Sequence, residues 1–249
     1  MTGPRLLAAL GIVFAAAVGP SEPAPADLLP DLRMAQLMDI QLESVDGRQR
    51  LRFTAVIVNV GVGPMEAIGV QADGEVGGVV QRVHRAAEAA PRDVATNAEM
   101  YFAGDGHEHW HLRDMQAYRL VAEADGATAA SEKHGFCLWD NLRGDLVVPG
   151  APESPDFTCP SSLGDGEVRM GLSIGWRDVY PATLPDQFID VTGLDSGRYR
   201  LWAEADPASG DRPRGLFTES DEANNLTWVD LELDFEASTV RALGYGPSA

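Results

Sequence analysis

Residues 50–60 carry the run RLRFTAVIVNV, and the turn-forming run GVGP follows directly at residues 61–64. β-Branched and aromatic side chains dominate the first run, and this composition, bounded by glycine and proline, is typical of a β-strand. Shorter stretches of the same kind predict strands at residues 65–70, 79–83, 99–102, 107–111, 116–122, 187–191, 198–204 and 225–233. Many short strands without a long helical pattern predict an all-β fold, an antiparallel β-sandwich with long functional loops.

Three other segments lack the composition of a strand. Residues 85–95 are compatible with a short helix or a loop, and residues 142–166 are rich in Pro, Gly, Asp and Ser, which predicts a long surface loop. The acidic residues 219–225 predict a polar loop between two strands. We interpret that acidic loop as structural, and calcium binding by its oxygen atoms is the alternative.

The first 26 residues have the pattern of an export signal. Arg5 provides a basic start, residues 6–18 are apolar, and Ala24-Pro25-Ala26 offers a cleavage site of small residues. We therefore predict a signal peptide at residues 1–26 and a single secreted or periplasmic catalytic domain at 27–249, with no membrane contact after cleavage. An uncleaved N-terminal anchor is the alternative.

The two cysteines, Cys137 and Cys159, are consistent with an exported protein. Their pairing would close a loop of about 20 residues and stabilise the fold by about 3 kcal/mol. The alternative is that one of them binds a metal ion.

The formal net charge is −19. Such an acidic chain would repel phosphates, so the charge argues against a nucleic acid as partner. It would attract cations, including amines and polyamines, although a solvated acidic surface that maintains solubility explains the charge as well.

The run His107-Glu108-His109-Trp110-His111 contains three of the five histidines at alternate positions. On a strand, alternate side chains point to one face, so the three imidazoles would converge on one metal ion. On a helix the middle histidine would face the opposite side. The alternative is that the histidines only line a polar sheet face.

Lys133 is the single lysine beside eighteen arginines. Codon bias explains the lack of other lysines. It does not explain the one that remains, since an amine can lose its proton and act as a nucleophile whereas a guanidinium cannot.

Taken in order, these motifs resemble the lysyl oxidase family of copper amine oxidases, across roughly residues 50–235. We expect a bacterial-type member. The residues that carry the resemblance are the three-histidine strand, Lys133 with Phe136-Cys137-Leu138, Gly175, Asp178, Tyr180, residues 187–192, Gly197-Arg198-Tyr199, Glu219-Ser220-Asp221 and Asn224-Asn225.

The resemblance implies that His107, His109 and His111 bind copper(II), and that Lys133 and Tyr180 form a lysine tyrosylquinone cofactor. The implied activity is that of a protein-lysine 6-oxidase-like enzyme. It converts primary amines, either small amines or the lysine side chains of proteins, to aldehydes with dioxygen as co-substrate and releases hydrogen peroxide and ammonia.

Four further residues near these motifs are candidates for a role. Asp178 is a candidate base or orienting group, since on a strand it would share the face of Tyr180, and the alternative is an aspartate on the surface or in a turn. His134 is expected to satisfy a hydrogen bond rather than to transfer protons. We expect Trp110 and Trp139 to pack in the core. The alternative is that they line the site and shield it from solvent.

The chain departs from the animal enzymes, which have many cysteines, in having only two, and Trp176 stands where those enzymes have a cysteine. No segment resembles their propeptide or scavenger domains. These differences put collagen or elastin as substrate in doubt, and a small amine, a polyamine or a bacterial surface protein is an equal alternative.

Two other functions fit part of the pattern. An exported copper-binding module would bind metal without turnover. A zinc hydrolase would use three histidines and an activated water, and it would leave Lys133 and Tyr180 without a role. The presence of both Lys133 and Tyr180 favours the oxidase.

Overall fold

The described part of the chain is all-β, as the sequence predicts. A computed structural model describes residues 26–72, 75–104, 108–144, 148–162, 166–210 and 212–249, and within these ranges it contains strands, turns and irregular segments but no helix. No described segment is therefore a helix able to cross a membrane. The strands are β1 (Asp27–Leu28), β2 (Leu32–Met34), β3 (Met38–Val45), β4 (Arg48–Asn59), β5 (Met65–Ala72), β6 (Glu75–Arg85), β7 (Arg92–Ala95), β8 (Met100–Ala103), β9 (His109–Arg113), β10 (Gln116–Ala122), β11 (Thr128–Ala130), β12 (Gly135–Phe136), β13 (Leu142–Arg143), β14 (Glu167–Leu172), β15 (Trp176–Tyr180), β16 (Phe188–Asp190), β17 (Gly197–Ala205), β18 (Leu226–Asp234) and β19 (Thr239–Tyr245).

These strands form four sheets with antiparallel pairing throughout. The first has the order β1-β6-β5-β14, with β7 paired to β6, and the second has the order β11-β10-β17-β18-β19. A three-stranded sheet, β12-β9-β8, carries the histidine strand. The fourth sheet has the order β13-β15-β4-β16, and β2 and β3 also pair with β4.

Strand β4 is the centre of the fold. Its residues from Leu51 to Asn59 are all buried, so both of its faces are covered. The Phe53 ring lies edge-on to the ring of Tyr118 on β10 with 4.9 Å between centroids, which joins the β4 sheet to the β10 sheet in one core. This packing of two antiparallel sheets confirms the predicted β-sandwich.

The pairing of β15 with β4 brings Tyr180 into the core. Asp178 lies opposite Ile57 and Tyr180 opposite Ala55. Burial alternates along β15, so Trp176, Asp178 and Tyr180 share its buried face. The prediction that Asp178 and Tyr180 lie on one strand face is confirmed.

Two of the sequence-based expectations need correction. Residues 92–95 form β7, which pairs with β6, so the expected helix or loop at 85–95 ends in a strand. The histidine strand, predicted at 107–111, occupies His109–Arg113. His107 lies outside the described residues, as does the predicted signal segment apart from Ala26.

The acidic loop at residues 219–225 is tied to the rest of the fold. The buried carboxylate of Glu219 accepts hydrogen bonds from the backbone N–H of Leu32 and from the Asn225 side-chain amide. Burial raises the pKa of Glu219 to about 9. These contacts agree with the structural interpretation of the loop, while calcium binding stays a prediction.

Asn59 joins three parts of the chain at the end of β4. Its side-chain oxygen accepts hydrogen bonds from the N–H groups of Asp31 and Gly61, and its amide nitrogen donates to the carbonyls of Gly63 and Leu172. The side chain is fully buried, so no solvent would replace these partners.

We expect Asn59→Ala to lower the free energy of unfolding by about 3 kcal/mol, because it leaves buried backbone groups unpaired. The measurement is urea unfolding followed by tryptophan fluorescence. The matched control is Asn97→Ala, at an exposed position, for which we expect a change within about 0.5 kcal/mol. Equal losses for the two variants would contradict the assigned role of Asn59.

Candidate active site

Two of the three predicted histidine ligands lie together on β9. His109 and His111 alternate along the strand, and their Nε2 atoms are 2.8 Å apart. The ring of Tyr101 on β8 lies edge-on to His111 at 5.7 Å between centroids and supports it. His111 is buried and His109 is half-buried, so the pair faces a partly open space. The predicted alternation is therefore confirmed for these two residues.

Lys133 is positioned by the short strand that follows it. In β12, Gly135 pairs with Arg113 and Phe136 with Leu112, so the segment runs beside the histidine strand. The N–H of Asp114 also donates to the carbonyl of His134 at 2.7 Å. These contacts place Lys133 Nζ 5.2 Å from the centroid of the Phe136 ring and 5.9 Å from that of the Tyr180 ring.

Tyr180 reaches the same place from the opposite sheet. Its hydroxyl donates a hydrogen bond to the Cys137 carbonyl at 2.8 Å, and its ring lies edge-on to Phe136 at 5.5 Å between centroids. Burial, and after it the charge of Asp178, raises the pKa of Tyr180. The structure thus brings Lys133 and Tyr180 together, although they lie far apart in sequence.

Asp178 lies behind Tyr180 in the interior. Its side chain is fully buried, and its Oδ1 accepts a hydrogen bond of 3.3 Å from Asn141 Nδ2. Its Oδ2 accepts no hydrogen bond with good geometry from the described residues. Burial raises the pKa of Asp178 well above its ordinary value. Such a carboxyl is suited to exchange a proton with a close neighbour.

Asn141 was not singled out in the sequence. Besides its bond to Asp178, it exchanges hydrogen bonds with the backbone of Val179: its amide nitrogen donates to the carbonyl and its oxygen accepts from the N–H. The sequence around Asn141 has no pattern that indicates a role. Its partners lie on β15, which is distant in sequence, so only the structure shows them.

The two cysteines form a disulfide, as predicted, with 5.8 Å between the Cα atoms. Both sulfur atoms and a ring nitrogen of His109 lie within 4.8 Å of one another. Because the sulfurs are bonded to each other, neither is a thiolate, and the alternative that one cysteine binds a metal is wrong. The disulfide instead forms one wall of the site beside His109.

The predicted long loop is fastened to the site at two points. The N–H of Trp110, between the two histidines, donates to the Pro160 carbonyl at 2.9 Å. The buried Asp140 carboxylate accepts hydrogen bonds from the N–H groups of Asp156, Phe157 and Ser173. Sequence reasoning missed Asp140, since an isolated aspartate gives no sign that it will anchor a loop.

The remaining candidates divide between the core and the surface. His134 is exposed, with Nδ1 2.7 Å from Asp114 Oδ1, so the expectation of a simple hydrogen-bonding role is confirmed. Trp110 packs in the core, also as expected. Trp139 does not pack in the core, so that expectation is wrong. Its side chain is 37% exposed and lines the cavity of the site, in the segment that follows Cys137.

The site opens into a cavity of about 420 Å³ whose lining includes His109, His111, Lys133 and Tyr180. Two imidazoles, one primary amine and one phenol therefore face one space. Imidazoles bind transition metals, and an amine beside a phenol ring is the pair from which a cross-link can form. Asp178 does not line this cavity.

Comparison with known proteins assigns the family. The model of the family described as lysyl oxidase matches residues 78–242, which is more than half of the chain and includes every candidate site residue named above. The chain belongs to the lysyl oxidase family. The resemblance seen in the sequence motifs is thereby confirmed.

Individual lysyl oxidases are more distant. Protein-lysine 6-oxidase of Gallus gallus is 29% identical over 131 residues, which is 53% of this chain and 25% of that protein. The Homo sapiens enzyme of the same name is 28% identical over 127 residues, 50% of this chain and 26% of that protein. Lysyl oxidase homolog 1 of Homo sapiens is 28% identical over 127 residues, 50% of this chain and 19% of that protein. The match thus spans about a quarter of the length of these relatives.

Gly135 determines how closely β12 approaches the histidine strand. A Cβ atom at this position would overlap with Tyr101 Oη and His111 Nδ1. Gly135→Ala should therefore displace the His111 ring. We expect it to weaken copper(II) binding at least about tenfold, as measured by competition with a chromophoric chelator.

The matched control for this prediction is Gly78→Ala on β6, where an added Cβ meets no atom within 4 Å. We expect this variant to bind copper(II) like the unsubstituted protein. An unchanged affinity for Gly135→Ala, in protein with an unchanged unfolding midpoint, would show that His111 is not a ligand.

Proposed function

We propose that the chain is an exported copper-dependent amine oxidase that converts primary amines, peptidyl lysine or small amines, to aldehydes with release of hydrogen peroxide and ammonia. The observation that carries the proposal is the position of Lys133 Nζ, 5.9 Å from the centroid of the Tyr180 ring and beside the His109–His111 pair. A protein that only stores copper would not need an amine and a phenol to meet at the metal site.

The histidine pair fits copper(II). The two Nε2 atoms lie 2.8 Å apart, close enough for both imidazoles to bind one ion. Imidazole nitrogen is a preferred ligand of copper(II). We propose His107 as the third ligand, because it continues the alternation of His109 and His111.

Lys133 and Tyr180 are the proposed precursors of lysine tyrosylquinone, which supplies the carbonyl that accepts two electrons from the amine before dioxygen removes them. The chain's own part is to hold the two side chains against each other. The Cys137 carbonyl fixes the hydroxyl of Tyr180, and Phe136 packs against its ring and under the Lys133 amine. The amine lies over the rings of Phe136 and Tyr180, which holds it close to the ring that it would attack.

Asp178 is proposed to hold the proton of Tyr180. Because it is fully buried behind the ring, its contact is with Tyr180 rather than with the cavity. Its unpartnered Oδ2 provides an acceptor for the phenol proton when the ring is oxidised. Asn141 fixes the orientation of the carboxyl through Oδ1.

We also propose a location, a domain organisation and partners for the enzyme. The signal pattern at residues 1–26 indicates secretion or export to the periplasm, with one catalytic domain at 27–249. The net charge of −19 favours cationic amines over nucleic acids as partners. Dioxygen is the co-substrate in this proposal.

The first test is the cross-link itself. After aerobic loading with copper(II), we expect peptide mapping by mass spectrometry to find the Lys133 and Tyr180 peptides covalently joined. Lys133→Arg should abolish the link and the hydrogen peroxide release while copper binding persists, because a guanidinium keeps the charge but is not a nucleophile at this pH.

The matched control is Tyr101→Phe, which removes a second phenol close to His111 without touching the proposed pair. We expect that variant to keep the cross-link. Copper bound with both peptides unlinked would instead identify an exported copper-binding module without turnover. Zinc bound with hydrolytic activity would identify the zinc hydrolase.

A second test uses pH. A base works only when it is deprotonated, and burial raises the pKa of Asp178, so cofactor formation should become faster as the pH rises. Asp178→Asn should slow it at least about 100-fold and remove the acidic limb of the profile. The measurement is the growth of quinone absorbance after copper addition. An unchanged rate and profile in Asp178→Asn would exclude this role.

A further inference from the structure

The cavity beside Tyr180 is lined by two kinds of side chain. Four have chemical roles in the proposed function, those of His109, His111, Lys133 and Tyr180. Most of the remaining side chains are hydrophobic, Trp139, Val179, Pro181 and Leu184, and Asn141 is the uncharged polar one.

A second cavity, of about 410 Å³, also has Lys133 in its lining. It shares Lys133 and His111 with the first, but its remaining lining is strongly charged and includes Arg48, Arg113 and Asp190. Tyr180 lines only the first cavity. A substrate that must reach the Tyr180 ring therefore approaches through the hydrophobic cavity.

We propose that this hydrophobic cavity is the substrate-binding site and selects primary amines carried on an uncharged hydrocarbon arm, discriminating against short diamines and polyamines. The proposal rests on the proposed amine oxidase function and specifies its substrate class. Trp139 and Leu184 are the residues that determine this specificity, because they are large hydrophobic side chains in the lining of the cavity.

Charge is the first argument for this selection. None of the described residues that line the cavity is an aspartate or a glutamate, although the chain as a whole carries 38 of them. A second ammonium group inside the cavity would lose its water without gaining a counterion, which is unfavourable. Lys133, the other amine in the lining, provides no negative charge that could pair with a second ammonium group.

Hydrophobic contact is the second argument. Each methylene group that moves from water to the cavity wall strengthens binding by a factor of about four. A lysine side chain in a protein has no second ammonium group and offers four methylenes for hydrophobic contact, and the backbone amides beyond them are uncharged. Monoamines of similar length satisfy them as well.

The test compares amines on copper-loaded protein with the quinone already formed. Hydrogen peroxide release is measured by a peroxidase-coupled assay and divided by the quinone content, which is titrated with phenylhydrazine. We expect kcat/KM to rise about fourfold per methylene from ethylamine to pentylamine. Pentylamine should exceed 1,4-diaminobutane, which has the same number of heavy atoms, at least about tenfold.

A charge variant makes the test specific to the cavity. Trp139→Glu places a carboxylate in the wall and should raise kcat/KM for 1,4-diaminobutane relative to pentylamine at least about tenfold. Leu184→Asp should do the same and serves if Trp139→Glu does not fold. The matched control is Leu243→Glu on β19, because Leu243 is also 37% exposed but does not line the cavity. This variant should leave the ratio of the two kcat/KM values unchanged.

The outcomes separate this inference from the function on which it rests. If no quinone forms and no amine is oxidised, the proposed function fails and this inference fails with it. If amines are oxidised, but the diamine equals pentylamine and neither charge variant alters the ratio, the enzyme assignment stands and the substrate site proposed here is wrong.

Discussion

The hydrogen bond from the Tyr180 hydroxyl to the Cys137 carbonyl is the contact on which the site depends. It joins β15, which is built into the β4 sheet, to the segment that carries Lys133 and runs beside the histidine strand. A buried hydrogen bond of this kind contributes only about 1 kcal/mol in net stability. Its importance is positional, since it fixes a phenol ring relative to a lysine and two histidines that belong to other sheets.

The surrounding structure holds both ends of that bond rigidly. On one side, Tyr180 lies in a strand paired with the most buried strand of the fold. On the other side, Cys137 is held by the disulfide to Cys159, and the neighbouring loop is anchored to Asp140 and to the backbone of Trp110. Chemistry that requires two side chains to meet is best built on such rigid elements, because small displacements reduce its rate strongly.

The two cavities that share Lys133 differ in the polarity of their lining. One is hydrophobic and faces the Tyr180 ring, and the other is charged and does not. In a chain with a net charge of −19, a cavity whose described lining contains no carboxylate is a local exception. In the proposed function, the acidic surface would attract amines in general, and the hydrophobic lining would select the part of an amine that enters.

The sequence by itself determined the strands and the types of chemical group. The β-branched run ended by glycine and proline located β4, and shorter strand-like runs located β10 and β18. The alternation of histidines placed His109 and His111 on one face, because this signal is also local in the chain. Local patterns did not reveal β7, the exposed Trp139 or the roles of Asp140 and Asn141. Only the tertiary structure brought Lys133 to Tyr180 and closed the disulfide beside His109, since strand pairing and loop anchoring depend on partners that are distant in sequence.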